Sequence, residues 1–207
     1  MRAAILSVGD ELVLGQTLDT NTRYVADRLV ELAFETEEHR TIGDDRPALA
    51  RAIQELSTDR DLLVVTGGLG PTADDVTREA LGDVVDPGDP LEVDDGTLGR
   101  LRALFGERDM PAGNERQAMH PPSVELVRND HGTAPGLRGE RNGCLIVVLP
   151  GPPHEMKAMF EESIAPELAE RSSGAVVLTR RINMYGLGES RAAELLANRV
   201  RRLKAVA

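Results

Sequence analysis

The sequence predicts an α/β fold: a doubly wound, mostly parallel sheet with helices on both faces, followed by a short C-terminal strand-helix extension. Three observations carry this. Ala3 to Val8, Leu62 to Val65 and Cys144 to Leu149 are apolar runs with little alternation, as strands covered on both faces require. Between the first two lie segments with helical spacing, which gives the β-α-β rhythm. Hydrophobic residues make up 41% of the chain but aromatics only 2%, so the core must be built from Val, Leu, Ile and Ala.

Taken in order, Ala3 to Val8 is a buried strand that stops at Gly9. Asp19 or Thr20 caps a helix in which Val25, Leu29 and Leu32 share a face. A strand near Glu37 to Ile42 follows. Pro47 suits the first turn of a second helix with Leu49, Ile53 and Leu56 inward. Leu62 to Val65 is a central strand. Asp83 to Gly96, rich in Asp, Pro and Gly, reads as a surface loop. Leu98, Leu101, Leu104 and Phe105 mark another helix, and Met110 to Pro122 is irregular, with one turn near Glu115 to Ala118. Val124 to Val127 and Cys144 to Leu149 are strands separated by the glycine-rich stretch Gly132 to Gly143. Pro152 and Pro153 open a helix carrying Met156, Met159, Phe160 and Ile164 inward. A strand over Ala175 to Asn183 and a helix over Glu189 to Leu203 complete the chain. Ser172-Ser173-Gly174 is the linker, dividing a domain over 1–171 from a segment over 175–207.

The totals exclude several function classes. No apolar run approaches the ~18 residues of a membrane span, and the start does not resemble a signal peptide. Cys144 is the single cysteine, which suits a reducing cytoplasm. A net charge of −11 opposes binding to long nucleic acid. The expected partners are a small phosphorylated ligand, nucleotide or pterin, and further copies of the chain.

Chemistry concentrates in three places. In Thr66-Gly67-Gly68-Leu69-Gly70-Pro71-Thr72, glycines follow a buried strand and precede a helix, where backbone amides and a helix N-terminus receive a phosphate. The pattern is neither the dinucleotide fingerprint nor the P-loop. Thr72 with Asp75 reads equally as a capping box, and Asp74 as a complement to the helix dipole. Acids at Asp74, Asp75 and Glu11, on one sheet edge beside a phosphate, imply a bridging divalent cation, Mg²⁺ or similar; each alone reads equally as a solvated turn residue. Further on, Asn114, Arg116 and Gln117 offer polar groups for a base edge or phosphate, and Gly132 and Thr133 form a pinched loop. Pro150, Gly151 and Pro153 shape a second strand-to-helix turn. His154 reads as part of a helix start, and Cys144 as core.

These motifs together resemble the amino-terminal domain of the competence/damage-inducible protein A family, related to the molybdopterin-binding domains of molybdenum-cofactor biosynthesis. The matching residues are Ser7-Val8-Gly9, Glu11-Leu12, Leu14-Gly15-Gln16, Asp19-Thr20-Asn21, the Thr66 to Thr77 motif, Asn114, Gln117-Ala118, Gly132 to Gly136, and Leu149 to Pro153 with Glu155-Met156-Lys157. Asp10 and His154 depart from it, where Thr and Ser are expected. The resemblance implies a molybdopterin-binding-like fold and a metal-dependent ADP-ribose pyrophosphatase. Gly67, Gly68 and Gly70 would then cradle the diphosphate, with Thr66, Thr72 and Thr77 beside them. Asp75 and Glu11 would hold the ion or orient water, and Arg116 would balance developing charge. A pterin-binding or transfer module and a non-catalytic binding domain are the alternatives. The segment from Ala175 resembles only the start of the family's middle domain, so its nicotinamide-mononucleotide amidase is not expected of residues 1–207. Two substitutions follow as expectations. Gly68→Ala should weaken phosphate-ligand affinity by far more than ~1 kcal/mol while leaving the protein folded. Asp75→Asn should lower turnover more than stability.

Overall fold

The computed structural model of the protein describes residues 1–106, 108–172 and 185–204, with side chains described as far as residue 197. The chain divides into two compact units, Met1–Val177 and Leu178–Ala207. The second contains the expected C-terminal helix, Glu189–Lys204. The strand expected over 175–183 lies outside the described residues.

The first unit is built on a six-stranded sheet. In chain order its elements begin β1 (Arg2–Val8), α1 (Asp10–Val13), α2 (Thr20–Glu31), β2 (Glu35–Ile42), α3 (Arg46–Leu56), β3 (Leu62–Thr66) and α4 (Thr77–Val85). There follow β4 (Glu92–Val93), α5 (Asp95–Phe105), a 3-10 turn (Ala112–Ala118), β5 (Met119–His120), β6 (Glu125–Val127), β7 (Gly136–Arg141) and β8 (Cys144–Leu149). The unit closes with α6 (Pro153–Met159), a widened π-type turn over Phe160–Ile164, and α7 (Ala165–Arg171). The sheet order is β2-β1-β3-β8-β7-β6, and β4 pairs with β5 apart from it. The first four strands run parallel, whereas β7 and β6 are antiparallel additions at one edge.

Side-chain alternation along each strand divides the core in two. Ala4, Leu6, Val8, Leu63, Val65, Ile146 and Val148 face Leu49, Ile53 and Leu56 of α3 and Ala80 and Leu81 of α4. Ala3, Ile5, Leu62, Val64, Leu145, Val147 and Leu149 face Val25 and Leu29 of α2 and Met156, Met159, Phe160 and Ile164 that follow β8. Each buried side chain of Leu or Ile size contributes roughly 1.5–3 kcal/mol, so both helix layers are held by the strands rather than by helix propensity. The helices on both faces and the mostly parallel sheet are those the sequence predicts. Caps agree too, since Asp19 accepts from Thr22 N at 2.8 Å and Asp45 from Ala48 N at 2.7 Å.

Three expectations need correction. The glycine-rich stretch between β6 and β8 is not a loop but contains β7, whose ladder to β8 compensates for its poor strand composition. The loop expected over 83–96 contains the end of α4, the strand β4 and the start of α5, where the Asp94 side chain accepts from Thr97 N at 2.6 Å. Within α5 only Leu101 is buried, and Leu104 is exposed.

The sheet order fixes where a ligand can sit. The chain leaves β1 for β2 on one side and returns through α3 to β3 on the other, which opens a crevice beyond the carboxyl ends of β1 and β3. Because β8 runs parallel to β3, the turn after Leu149 opens on the same crevice.

Candidate functional site

At that crevice lies a cavity of about 450 Å³. Its floor is the turn after β3. The Gly67 N–H donates to Leu149 O at 2.9 Å, tying the turn to the end of β8. Among the described residues the N–H groups of Gly68, Leu69 and Gly70 find no acceptor. Three successive backbone donors without a partner, in a turn that lines a cavity, are groups an anion could engage.

The glycines of this turn are required by the protein's own packing. Gly67 and Gly68 have φ of 104° and 68°, in the region that disfavours side chains. A Cβ on Gly68 would overlap the Thr77 hydroxyl, and one on Gly67 would overlap the Val8 carbonyl oxygen. A Cβ on Gly70 would overlap the Asp75 carboxylate. The turn therefore packs its Cα hydrogens inward.

The walls are acidic. Glu11, Asp44, Asp74, Asp75 and Glu155 line the cavity, and among the described residues no Lys, Arg or His does so. Gln117, Thr133, Pro150 and Gly151 complete the residues singled out from sequence that reach it. Asp44 is not among the residues singled out from sequence, and Glu155 is quoted there only as a motif match, without a site role. Asp44 exchanges backbone bonds with Asp10: Asp10 N donates to Asp44 Oδ2 at 3.0 Å, and Asp44 N to Asp10 Oδ1 at 3.1 Å. Burial, reinforced by the charges of Asp10, Glu11 and Asp74, raises the Asp44 pKa above the usual carboxylate value. Glu155 is held from behind by Asn129 Nδ2 at 2.7 Å.

The remaining expected site residues stand outside the cavity lining. The side chains of Thr72 and Asp75 do meet, with Thr72 N donating to Asp75 Oδ2 at 2.9 Å and Thr72 Oγ1 at 2.5 Å. Yet α4 starts only at Thr77, so this pair closes the turn before the helix instead of capping it. The Thr77 N–H donates to Gly68 O at 3.2 Å, so the first amide of α4 is not offered to a ligand. The Thr77 hydroxyl is buried without a partner among the described residues. Arg116, expected to balance charge in the cavity, is instead a brace. It donates to Thr72 O at 2.5 Å and Asp75 O at 3.2 Å, and pairs with Glu79 at 2.6 Å. Asn114 is buried and donates to Gln117 Oε1 at 3.0 Å, fixing that amide at the cavity edge. Thr66 and Pro153 line a smaller neighbouring pocket of about 120 Å³, and Gly132 lines another of about 420 Å³.

Two alternative centres are eliminated. Cys144 is buried in β8, and burial pushes its thiol up to about 11, so it is not a nucleophile. Lys157 does not reach the cavity; its Nζ lies 5.1 Å from the centre of the Tyr24 ring.

The probable molybdopterin-binding domain family matches residues 4–170, which include all of the sheet except the first two residues of β1, and every residue lining the cavity. The chain belongs to the molybdopterin-binding domain family. Within it, the chain resembles a putative competence-damage inducible protein of Caldicellulosiruptor bescii, 42% identical over 198 residues, covering 95% of this chain and 47% of the relative. The chain spans about half the length of the curated relatives it matches. The crystal structure of CinA from Thermoplasma acidophilum, described as of unknown function, superposes with a TM-score of 0.76 at 30% identity, covering 81% of this chain and 97% of that one. The molybdopterin biosynthesis enzyme MoaB of Thermus thermophilus shares the fold of this molybdopterin-binding domain, with a TM-score of 0.56 at 24% identity, covering 83% and 94%. The resemblance read from the motifs is thereby borne out. No helix among the described residues is long and apolar enough to cross a membrane.

Proposed function

We propose that this domain binds a small phosphorylated ligand, pterin or nucleotide, with a phosphate on the amides of Gly68, Leu69 and Gly70, and that it does so together with a divalent cation. The observation that carries this reading is the mismatch between floor and walls. Three backbone donors suit a phosphate, but five lining carboxylates repel one unless a cation intervenes. Among the described residues no group of three or more His, Cys, Asp or Glu side chains forms a complete metal site. Hard carboxylate oxygens supplemented by the ligand's phosphate oxygens match the way Mg²⁺ is held in phosphate-processing sites. Asp75 and Glu11, supplemented by the ligand's phosphate oxygens, would hold the ion, which when bound would neutralise charge on those oxygens.

The chemistry we propose for this arrangement is hydrolysis of a diphosphate in a nucleotide such as ADP-ribose. The turn amides would orient the diphosphate, Gln117 would position the ligand at the edge, and Glu11 would hold a water by accepting its proton. A second reading, binding without turnover, is favoured by the engagement of Asp75 with Thr72 and of Arg116 with Glu79.

Purified protein should be warmed with ADP-ribose or a pterin phosphate, with Mg²⁺ and with excess chelator, and products of ADP-ribose followed by chromatography. A ligand-dependent rise in Tm that vanishes with chelator is expected; undiminished binding in chelator removes the cation. AMP release separates hydrolysis from binding alone. Asp75→Asn retains an acceptor for Thr72 and is expected to lower AMP release about tenfold while costing no more than about 1 kcal/mol in urea unfolding. Equal loss of both would leave Asp75 with a structural role only.

A further inference from the structure

The acidic cavity has a cationic neighbour. The 420 Å³ pocket is lined by Arg100 of α5, Arg128 after β6, and Gly132 and Thr133 of the following loop, with Thr133 also lining the main cavity. A smaller pocket on the far side of the two arginines is lined by both of them as well. The shared wall is fixed by one buried side chain. Asn129 donates to Ala134 O at 2.8 Å and to Glu155 Oε2 at 2.7 Å, and accepts from His131 N at 2.9 Å. Arg100 Nη1 donates to the carbonyl of the same residue at 2.7 Å, which anchors its guanidinium.

Charge is distributed unevenly between the two cavities. Among the described residues Asp130 is the single carboxylate lining the second one, and it is paired with Arg128 at 2.7 Å. Among the described residues no carboxylate lies within ion-pair distance of Arg100, although most arginines with described side chains have one. A charged guanidinium that is anchored by one amino group and left without a counterion has donors available for an oxyanion.

We propose that the Arg100–Arg128 pocket is an anion subsite that takes a phosphoryl group carried by the ligand away from the phosphate on the glycine turn. The inference rests on the proposed ligand class, because the two cavities meet at Thr133 and one ligand would span them. The subsite would select nucleotides or pterins with a second phosphoryl group over those with one phosphorylated end. Its electrostatics also set the ligand's direction, since a free phosphoryl group is repelled by the five acids and attracted by the arginines.

The first experiment uses inorganic phosphate alone, without divalent cation, followed by amide chemical shifts. Saturable shifts at Gly132 and Thr133 are expected, with affinity at least about tenfold weaker in Arg100→Gln and restored in part by Arg100→Lys. Arg128→Gln, whose side chain bonds only exposed Asp130, provides a variant that leaves the Asn129 wall intact and should also weaken binding. Absence of saturable shifts, or affinity unchanged from the parent in both Gln variants, overturns the proposal. The second experiment compares ADP-ribose with ADP-ribose 2′-phosphate in the presence of Mg²⁺. A preference of about tenfold for the second, lost in Arg100→Gln, is expected. If neither nucleotide binds, the proposed ligand class fails, and the phosphate titration still decides the subsite.

Discussion

Gly68→Ala is expected to cost about 3 kcal/mol of stability, combining the left-handed backbone penalty with overpacking against Thr77. The φ of 68° is one source, and the overlap of a new Cβ with the Thr77 hydroxyl is the other. Urea unfolding measures the sum, and Gly68→Ala with Thr77→Ala separates the parts. Removing the hydroxyl should recover roughly half, because the backbone penalty remains. Since the Cβ points into the protein and away from the ligand, the affinity of the folded variant should change less than tenfold. That reverses the order of effects the glycine pattern suggests from sequence. A loss below ~1 kcal/mol, the ordinary cost of such a change, would mean that the turn relaxes freely.

The second large effect is expected at Arg78, in the first turn of α4. Its side chain is fully buried, and one amino group donates to Leu69 O at 3.1 Å. Nε and Nη1 find no partner among the described residues. Burial pushes its pKa down to about 10, with neighbouring Glu79 acting in the opposite direction and Arg116 in the same one. The guanidinium stays charged at neutral pH, and a depression of this size corresponds to roughly 3 kcal/mol of lost stability. Arg78→Met keeps most of the volume and removes the charge, so stability should rise by about 1–3 kcal/mol. The unfolded chain binds this proton more tightly than the folded one. The penalty is therefore complete below pH 10 and declines as pH rises above it, so the advantage of Arg78→Met should shrink in alkaline buffer. A variant destabilised by more than about 1 kcal/mol would show that the two unpartnered nitrogens are satisfied by water.

β1, β3 and β8 can be read directly from the sequence because every residue of β3 and β8, and all but the first of β1, is buried; an apolar run has few other uses. β7 could not be read. Its Gly-Leu-Arg-Gly-Glu-Arg has no strand signature, and its glycines are explained only by neighbours distant in sequence: a Cβ on Gly139 would lie 3.0 Å from Val124, and one on Gly136 2.8 Å from Val148 O. The glycine turn, Glu11, Gln117 and Thr133, which line the cavity, are legible because strand ends and loop chemistry point to the same edge. Asp44 and Glu155 carried a weaker signal: both follow strands whose carboxyl ends reach that edge, in Gly43-Asp44-Asp45 and in the Pro153 helix start. The residue type of Arg116 suggests anion binding, while its pairing with Glu79 spans a distance in sequence that no local pattern reveals. The Thr72–Asp75 spacing was recognised correctly as a bonded pair, but spacing does not say whether the helix starts before or after it.

The central place of β3 also has a consequence for how the chain comes into being. On one side β3 pairs with β1, made early, and on the other with β8, which emerges only after α4, α5 and four further segments of strand. During synthesis the β3 edge, Leu62-Leu63-Val64-Val65-Thr66, therefore waits without its second neighbour. An uncovered apolar strand edge is a template for other chains. The charged edge strand β2 does not carry this hazard, since its sequence is Glu-Thr-Glu-Glu-His-Arg-Thr-Ile. A nascent chain stalled before Cys144 should thus be far more dependent on chaperones than one released after Leu149, when the last central strand closes the gap.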